Sequence, residues 1–269
     1  MTDSTTTTPA TTRVWPLIVV GLVAGIFSTL FGVGGGTVMV PLLVLLLAYD
    51  AKVATATSLA AIIVTATVGV ISHAELGHVD WRYAMLIGVP AIGGLFVGLW
   101  IKDRMSVRSL TIWFAVLMVA IAIWMLIEQS AAGGKPEVTA VSATVMVALG
   151  VVAGMLAGLF GVGGGIVFVP ALALILGMSQ KLAIGTSLLA IVPVSLVGSW
   201  RQHRAGTVRW RAALTMGAAS TVTAWLGAQI TDAVSARWLR IGFACLMVFT
   251  AWQLAKRAVA THPAPPSAD

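Results

Sequence analysis

The sequence predicts an all-α, polytopic membrane protein with two homologous repeats, each a glycine-broken or re-entrant helix followed by three transmembrane helices. Three observations lead to this fold class. Only 9% of the 269 residues are charged and the mean hydropathy is +1.00, whereas a soluble domain carries about 25% charged residues. Apolar stretches of roughly 20 residues, enough to cross a bilayer, recur along the chain. The third observation is an internal repeat.

The repeat is visible in the glycine-rich segments of the two halves. Residues 21–41 read GLVAGIFSTLFGVGGGTVMVP and residues 150–170 read GVVAGMLAGLFGVGGGIVFVP. The same offset of 129 residues aligns the TSL triplet at 57–59 with the one at 186–188. Chance similarity between apolar helices would not keep glycines, prolines and polar triplets in one register, so the chain contains a duplication.

The duplication predicts the organisation of the chain. The predicted parts are a disordered N-terminal tail (1–14), a first membrane repeat (15–128), a linker (129–138), a second membrane repeat (139–257) and a disordered C-terminal tail (258–269). The predicted apolar segments are 15–48, 53–72, 82–101 and 109–128, then 139–177, 182–200, 211–230 and 238–255. The first tail lacks the basic region of a signal peptide.

Loop charges predict how the repeats are oriented. The loop 73–82 mixes acidic residues with histidines, whereas its counterpart 201–211 is strongly basic. Lys/Arg-rich loops stay in the cytoplasm, so the repeats are expected to be inverted in an inner (plasma) membrane, as in many secondary transporters. A parallel repeat is the alternative. Arg13 and the pair Lys256-Arg257 predict that both termini are cytoplasmic.

Inversion requires an odd number of crossings in each repeat or a re-entrant element, and the segment 15–48 is predicted to be re-entrant. As a single helix its 34 residues would be about 51 Å long, against a hydrocarbon core of about 30 Å. Glycines at 32–36 interrupt it. We therefore expect two half-helices of about 22 Å each that meet at the glycines and turn back. Such irregular backbone persists at membrane depth only inside protein or beside a cavity.

The paired GVGGG runs are the predicted binding site. Pro41 and Pro170 follow five residues later, which predicts new helices starting near Thr37 or Val38 and near Ile166 or Val167. Unpaired amides at the positive ends of two helix dipoles would bind an anion without a fixed cation. The alternative is close helix packing through small residues. The predicted substrate-binding backbone comprises Gly34, Gly35, Gly36, Thr37, Gly163, Gly164 and Gly165.

Hydroxyl side chains are further candidates for the same site. The predicted substrate-binding hydroxyls are Thr57, Ser58, Thr186 and Ser187. Their alternative role is a hydrogen bond to a carbonyl of their own helix. Ser28 and Thr29 precede the first glycine run but are Ala157 and Gly158 in the second half, so they could make the two half-sites unequal.

Other residue types exclude several kinds of site. The acidic residues all lie in tails or near loop ends, which disfavours a proton-coupled cation transporter. No catalytic residue, metal site or cofactor is predicted. His73 and His203 are interpreted as interfacial histidines in water, and Cys245 as a small core residue. Tryptophans near segment ends are interpreted as an aromatic belt, and they are Trp81, Trp100, Trp200, Trp210 and Trp238.

Three motifs carry a family resemblance. The duplicated FGVGGG-x4-P, the A-x2-TSL that follows it and the closing G-x-V-x-W-R resemble the sulfite exporter TauE/SafE family of membrane permeases over nearly all of residues 15–255. The resemblance implies a sulfur-anion substrate such as sulfite, sulfoacetate or another organosulfonate; the glycine geometry alone implies only an anion.

Together these features predict a secondary transporter that moves a small anion by alternating access. The alternatives are a passive anion channel and, less favoured, an integral-membrane phosphatase-type enzyme; the predicted core lacks the carboxylates and cations that such an enzyme needs. The expected partners are the anionic substrate and the lipid bilayer, with a homodimer left open. No nucleic-acid partner is expected, since no basic stripe with interleaved aromatic residues occurs.

Overall fold

The regular elements of the protein are helices. The computed structural model describes residues 14–102, 104, 107–127 and 139–260. Its helices are α1 (Val14–Phe31), α2 (Gly36–Leu46), α3 (Ala51–Glu75), α4 (Trp81–Lys102), α5 (Val107–Ile127), α6 (Ala140–Phe160), α7 (Gly165–Pro170, continuing as a π-helical turn Ala171–Ile175), α8 (Gln180–Arg204), α9 (Trp210–Ala233) and α10 (Ala236–Ala260). The all-α prediction is confirmed. The predicted linker and most of both predicted tails lie outside the described residues.

Several helices suit a bilayer. Of the described helices, five are long and apolar enough to cross it, namely α1, α3, α4, α6 and α8. Their outward faces carry large apolar side chains, for example Ile71 and Val89, which are more than half exposed. An apolar outer surface of this kind is stable against lipid and unstable against water.

Each repeat packs its first helix, α1 or α6, against the fourth helix of the other repeat, α9 or α4. Gly150 of α6 lies against Ile87 of α4, and Gly158 lies against Leu95, so α4 and α6 run parallel. The equivalent helices α1 and α9 pack in the same way, with Gly21 against Met216. These small residues at four-residue spacing allow backbones to approach closely. Close packing of helices is thus the role of these glycines.

The third helices of the two repeats, α3 and α8, cross in opposite directions. A Cβ on Gly69 would lie 2.9 Å from Leu188, and one on Gly198 would lie 3.2 Å from Leu59. Gly69 and Gly198 are equivalent in the repeat, as are Leu59 and Leu188. Early residues of one helix therefore meet late residues of the other. If a two-fold axis relates the two repeats, it must lie across α3 and α8 to give these contacts. An axis parallel to the helices would bring early residues of one helix to early residues of the other.

The first two helices form a hairpin around the glycine run. Gly35 lies beside the carbonyl oxygen of Ala24, and Leu43 of α2 joins Leu17 of α1 in one apolar cluster. The chain therefore turns back on itself. The arms are unequal, however. α1 has 18 residues and α2 has 11, or about 27 and 16 Å, instead of two arms of about 22 Å.

Two side-chain interpretations from the sequence are settled by exposure. The tryptophans named above all lie at helix ends and are exposed, as an aromatic belt requires. Trp100 and Trp200 also stack under the guanidinium groups of Arg104 and Arg204. The interpretation of Cys245 as a core residue is wrong, because its side chain is exposed on α10.

Candidate functional site

The two glycine turns have nearly the same backbone conformation. Gly34 and Gly35 have φ angles of 77° and 84°, and Gly163 and Gly164 have φ angles of 76° and 87°. An L side chain is strongly disfavoured in this left-handed region, whereas glycine enters it freely. Consecutive left-handed residues reverse the chain in a few residues, which explains why each run needs glycine at these positions.

The turns meet where α3 and α8 cross. A Cβ on Gly36 would lie 2.8 Å from the Gly161 carbonyl oxygen, and one on Gly165 would lie 2.6 Å from the Gly32 carbonyl oxygen. Ile62 of α3 and Ile191 of α8 pack onto both turns. Residues 31–37 and 161–170 are all buried. The two turns thus form one enclosed centre between the repeats.

Backbone amides at this centre lack acceptors. Within the described part of the chain, the first backbone bonds after the turns are those from Val38 to Gly35 and from Val167 to Gly164. The amides at 34–37 and 163–166 therefore have no backbone acceptor. Both helices begin one residue earlier than predicted, at Gly36 and Gly165. The left-handed glycines complete the reversal by that point, so the prolines lie in the second turn of their helices instead of the first.

The two serines of the TSL triplets hold the turns in place. Ser58 Oγ donates to the Gly161 carbonyl oxygen at 2.9 Å, and Ser187 Oγ donates to the Gly32 carbonyl oxygen at 2.8 Å. Ser58 Oγ also bonds to Thr55 O in its own helix. Each serine therefore connects the helix of one repeat to the glycine turn of the other. A hydroxyl that donates to a carbonyl has no second proton to offer an anion.

Each threonine of the same triplets bonds to a loop of the other repeat. Thr57 Oγ1 accepts from the Arg209 amide at 3.2 Å, and Thr186 Oγ1 accepts from the Asp80 amide at 3.0 Å. From the sequence, the expected hydrogen-bond partner of these four hydroxyls is either an anion or a carbonyl of their own helix. The structure shows bonds across the repeat boundary, which a single sequence does not reveal.

Four other buried hydroxyls have no hydrogen-bond partner among the described residues. They are those of Ser28, Thr37, Ser195 and Ser199. Thr37 is the second residue of α2, directly after the first glycine turn. Ser195 Oγ would lie 3.6 Å from a Cβ on Gly163. A buried hydroxyl without a partner is costly and suits a site that a ligand completes. Ser195 was not predicted from the sequence. It could have been found by comparing the repeats, because the equivalent residue in the first repeat is Ala66.

One end of the bundle carries a basic cavity of about 390 Å³. Lys52, Lys102 and Arg201 line it together with Trp100 and Gln202. The Gln202 side chain is buried, and its Nε2 has no hydrogen-bond partner among the described residues. This basic mouth opens at the end where the loop 201–211 lies. Positive charge at a mouth raises the local concentration of anions.

The opposite end carries mixed charges. Asp232 Oδ1 lies 3.5 Å from His78 Nε2 and 3.4 Å from Lys181 Nζ. Burial lowers the pKa of His78, and the nearby Asp232 carboxylate partly opposes this effect. His203, at the basic end, is exposed and accepts a hydrogen bond from Trp210. The interpretation of His73 as an interfacial histidine in water is wrong, because its side chain is completely buried.

Comparison with known proteins identifies the family. The sequence profile described as "Sulfite exporter TauE/SafE" matches residues 17–254. The chain belongs to the sulfite exporter TauE/SafE family. Because the match spans both repeats, the glycine turns and the TSL serines all fall inside the family region.

Curated proteins similar in sequence to this TauE/SafE chain are named as transporters. It is 30% identical over 242 residues to "Probable membrane transporter protein YunE" of Bacillus subtilis, covering 81% of this chain and 87% of that protein. It is 31% identical over 256 residues to a "Probable membrane transporter protein" of Haemophilus influenzae, covering 87% and 95%. No solved structure matches the chain. The protein is thus a multi-pass membrane protein of a transporter family.

Proposed function

We propose that this protein is a secondary transporter that moves a small anion, sulfite or an organosulfonate, across the inner membrane by alternating access around the two glycine turns. The main support is the pair of glycine turns that meet between the repeats. The backbone amides at 34–37 and 163–166 in these turns have no backbone acceptor. These donors point to an anion, and the family name supplies the sulfur chemistry.

Electrostatics at this centre favours a monoanion. Described carboxylates and cations lie toward the ends of the bundle, so the helix ends supply the positive field at the turns. Each helix N-terminus is equivalent to about half an elementary charge, so two roughly balance a monoanion. A dianion such as sulfate would remain undercompensated and lose more hydration energy. We expect a sulfonate or hydrogen sulfite to bind more tightly than sulfate.

The packing supports a carrier over the alternative of a passive channel. Residues 31–37 and 161–170 are buried, and Ile62 and Ile191 close over the turns. An ion at the centre would be occluded in this conformation. The antiparallel crossing of α3 and α8 also supports inverted repeats, whose exchange of conformations would open the centre to either side in turn.

Counterflow in proteoliposomes tests this function. Vesicles loaded with unlabelled methanesulfonate, diluted into a trace of labelled methanesulfonate, should transiently accumulate the label above equilibrium. A carrier produces this overshoot because each binding site returns loaded. A channel gives a simple approach to equilibrium with no overshoot, and that result would refute the carrier. Empty vesicles and sulfate-loaded vesicles are the controls.

A further inference from the structure

One histidine is buried beside the end of α1. His73 lies in the last turn of α3 and is 0% exposed. Its Nε2 lies 2.9 Å from the carbonyl oxygen of Thr29. A carbonyl only accepts hydrogen bonds, so Nε2 carries the hydrogen and Nδ1 carries a lone pair. Nδ1 is buried and has no hydrogen-bond partner in the described part of the chain. It is therefore a vacant acceptor for a proton.

Titratable side chains lie between His73 and the protein surface. The ring of His78 lies 6.0 Å from that of His73, and His78 Nε2 lies 3.5 Å from the half-exposed carboxylate of Asp232. Lys181 of α8 lies on the other side of the same carboxylate. The group of α1 that faces His73 is the Thr29 carbonyl. Groups that bind and release protons themselves therefore lie between the buried ring of His73 and the half-exposed carboxylate of Asp232.

His73 is also connected to the first glycine turn. The carbonyl oxygen to which it donates belongs to Thr29, three residues before Gly32. Gly185 packs directly on His73, where a Cβ would lie 3.0 Å from that of the histidine. Two residues later, Ser187 donates to the Gly32 carbonyl. A charge acquired by His73 therefore acts on both segments that hold the turn.

The other repeat has no equivalent group. By the repeat offset, His73 corresponds to Gln202, His78 to Thr207, and Gly185 to Ala56. Glutamine can donate a hydrogen bond but cannot take up a proton near neutral pH. At the position of His73, a side chain that can bind a proton near neutral pH therefore occurs in the first repeat and not in the second.

We propose that His73 Nδ1 takes up a proton when the anion binds, so that the two occupy the protein together. This inference rests on the proposed function. The added positive charge near the first glycine turn stabilises the anion, and the anion stabilises the protonated imidazole by the same amount, because coupling between two sites is reciprocal. The proton comes from hydronium in the solvent by way of Asp232 and His78, so an N–H bond forms at His73 Nδ1, an O–H bond of hydronium breaks, and water is released.

Calorimetry of purified protein with methanesulfonate tests the coupling, since this sulfonate has no proton to exchange near neutral pH. Titrations in buffers of different ionisation enthalpy give the number of protons taken up per anion bound. The wild type should take up a proton near pH 7, and its affinity should rise up to about tenfold for each pH unit of acidification. His73→Gln, which keeps a donor for Thr29, should bind without proton uptake. The exposed His203→Gln is the control and should behave as the wild type.

Each outcome bears on a different claim. Binding to the wild type without proton uptake would overturn this inference and leave the proposed function standing. Proton uptake that persists in His73→Gln would overturn the assignment to His73. No methanesulfonate binding at all would overturn the proposed function and the coupling together. If His73→Gln does not fold, nitrogen-15 spectra of histidine-labelled wild type decide, since the anion should protonate the buried His73 and leave His203 unchanged.

Discussion

Three serines on α8 separate structural support from substrate binding. Ser187, Ser195 and Ser199 are all buried, at 0%, 0% and 1% exposure. Only Ser187 has a hydrogen-bond partner among the described residues, the Gly32 carbonyl oxygen at 2.8 Å. The same substitution, serine to alanine, should therefore have three different results on one helix.

Ser187→Ala should lower stability. It leaves a buried carbonyl without its donor, which costs about 1–3 kcal/mol. For a chain of this size, that corresponds to a fall in Tm of about 2–4 °C for each kcal/mol. Ser199→Ala removes a buried hydroxyl that has no partner, so Tm should stay unchanged or rise. Ser195→Ala should likewise leave Tm unchanged but weaken methanesulfonate binding by about 0.5–3 kcal/mol, because its hydroxyl faces the second glycine turn.

Thermal unfolding in detergent and calorimetry with methanesulfonate measure these effects. The repeat supplies an internal check, since Ser58→Ala removes the equivalent bond to Gly161 and should also lower Tm. Equal Tm values for Ser187→Ala and Ser199→Ala would refute the structural role of the serine. Unchanged affinity in Ser195→Ala would remove that hydroxyl from the site.

Three further predictions follow from the packing, the charges and the loops. Gly165→Ala should abolish counterflow, because its Cβ would lie 2.6 Å from the Gly32 carbonyl oxygen, whereas Gly93→Ala, with nothing within 4 Å, should transport normally; equal transport by both would contradict close contact of the turns. The pKa of His78 is lowered on folding, so the stability of the folded protein should fall as pH drops below about 6.5. His78→Gln should weaken this pH dependence. A pH profile of Tm that is the same in His78→Gln and the wild type would contradict this role of His78. On a Cys245→Ala background, Glu75→Cys should react with an impermeant thiol reagent in intact cells and the equivalent Arg204→Cys should not; equal labelling would favour parallel repeats.

Much of the fold could be predicted because its signals are local or repeated. Composition indicates the bilayer, and the duplicated GVGGG runs mark both turns, since left-handed backbone at Gly34 and Gly163 strongly favours glycine. The unequal lengths of α1 and α2 could not be predicted, because hydropathy does not show how far a hairpin reaches before it meets another element.

Partners across the repeat boundary could not be predicted from the sequence. Ser187 and Gly32 are 155 residues apart, and no local pattern indicates that they bond. The sequence predicts a loop-edge position for His73 because Glu75, Asp80 and Arg82 follow it closely. Its side chain is buried, and Gly185 on α8 leaves room for its Cβ. The unequal pairs in the repeat, His73 with Gln202 and Ser195 with Ala66, are the sequence signal for such sites.

The location of the bound anion tests the central claim most directly. Crystals grown with bromomethanesulfonate would reveal the bromine by its anomalous scattering. We expect a peak between the amides at 34–37 and 163–166, within reach of Ser195 Oγ. A peak confined to the basic mouth beside Arg201, with the glycine turns empty, would contradict it.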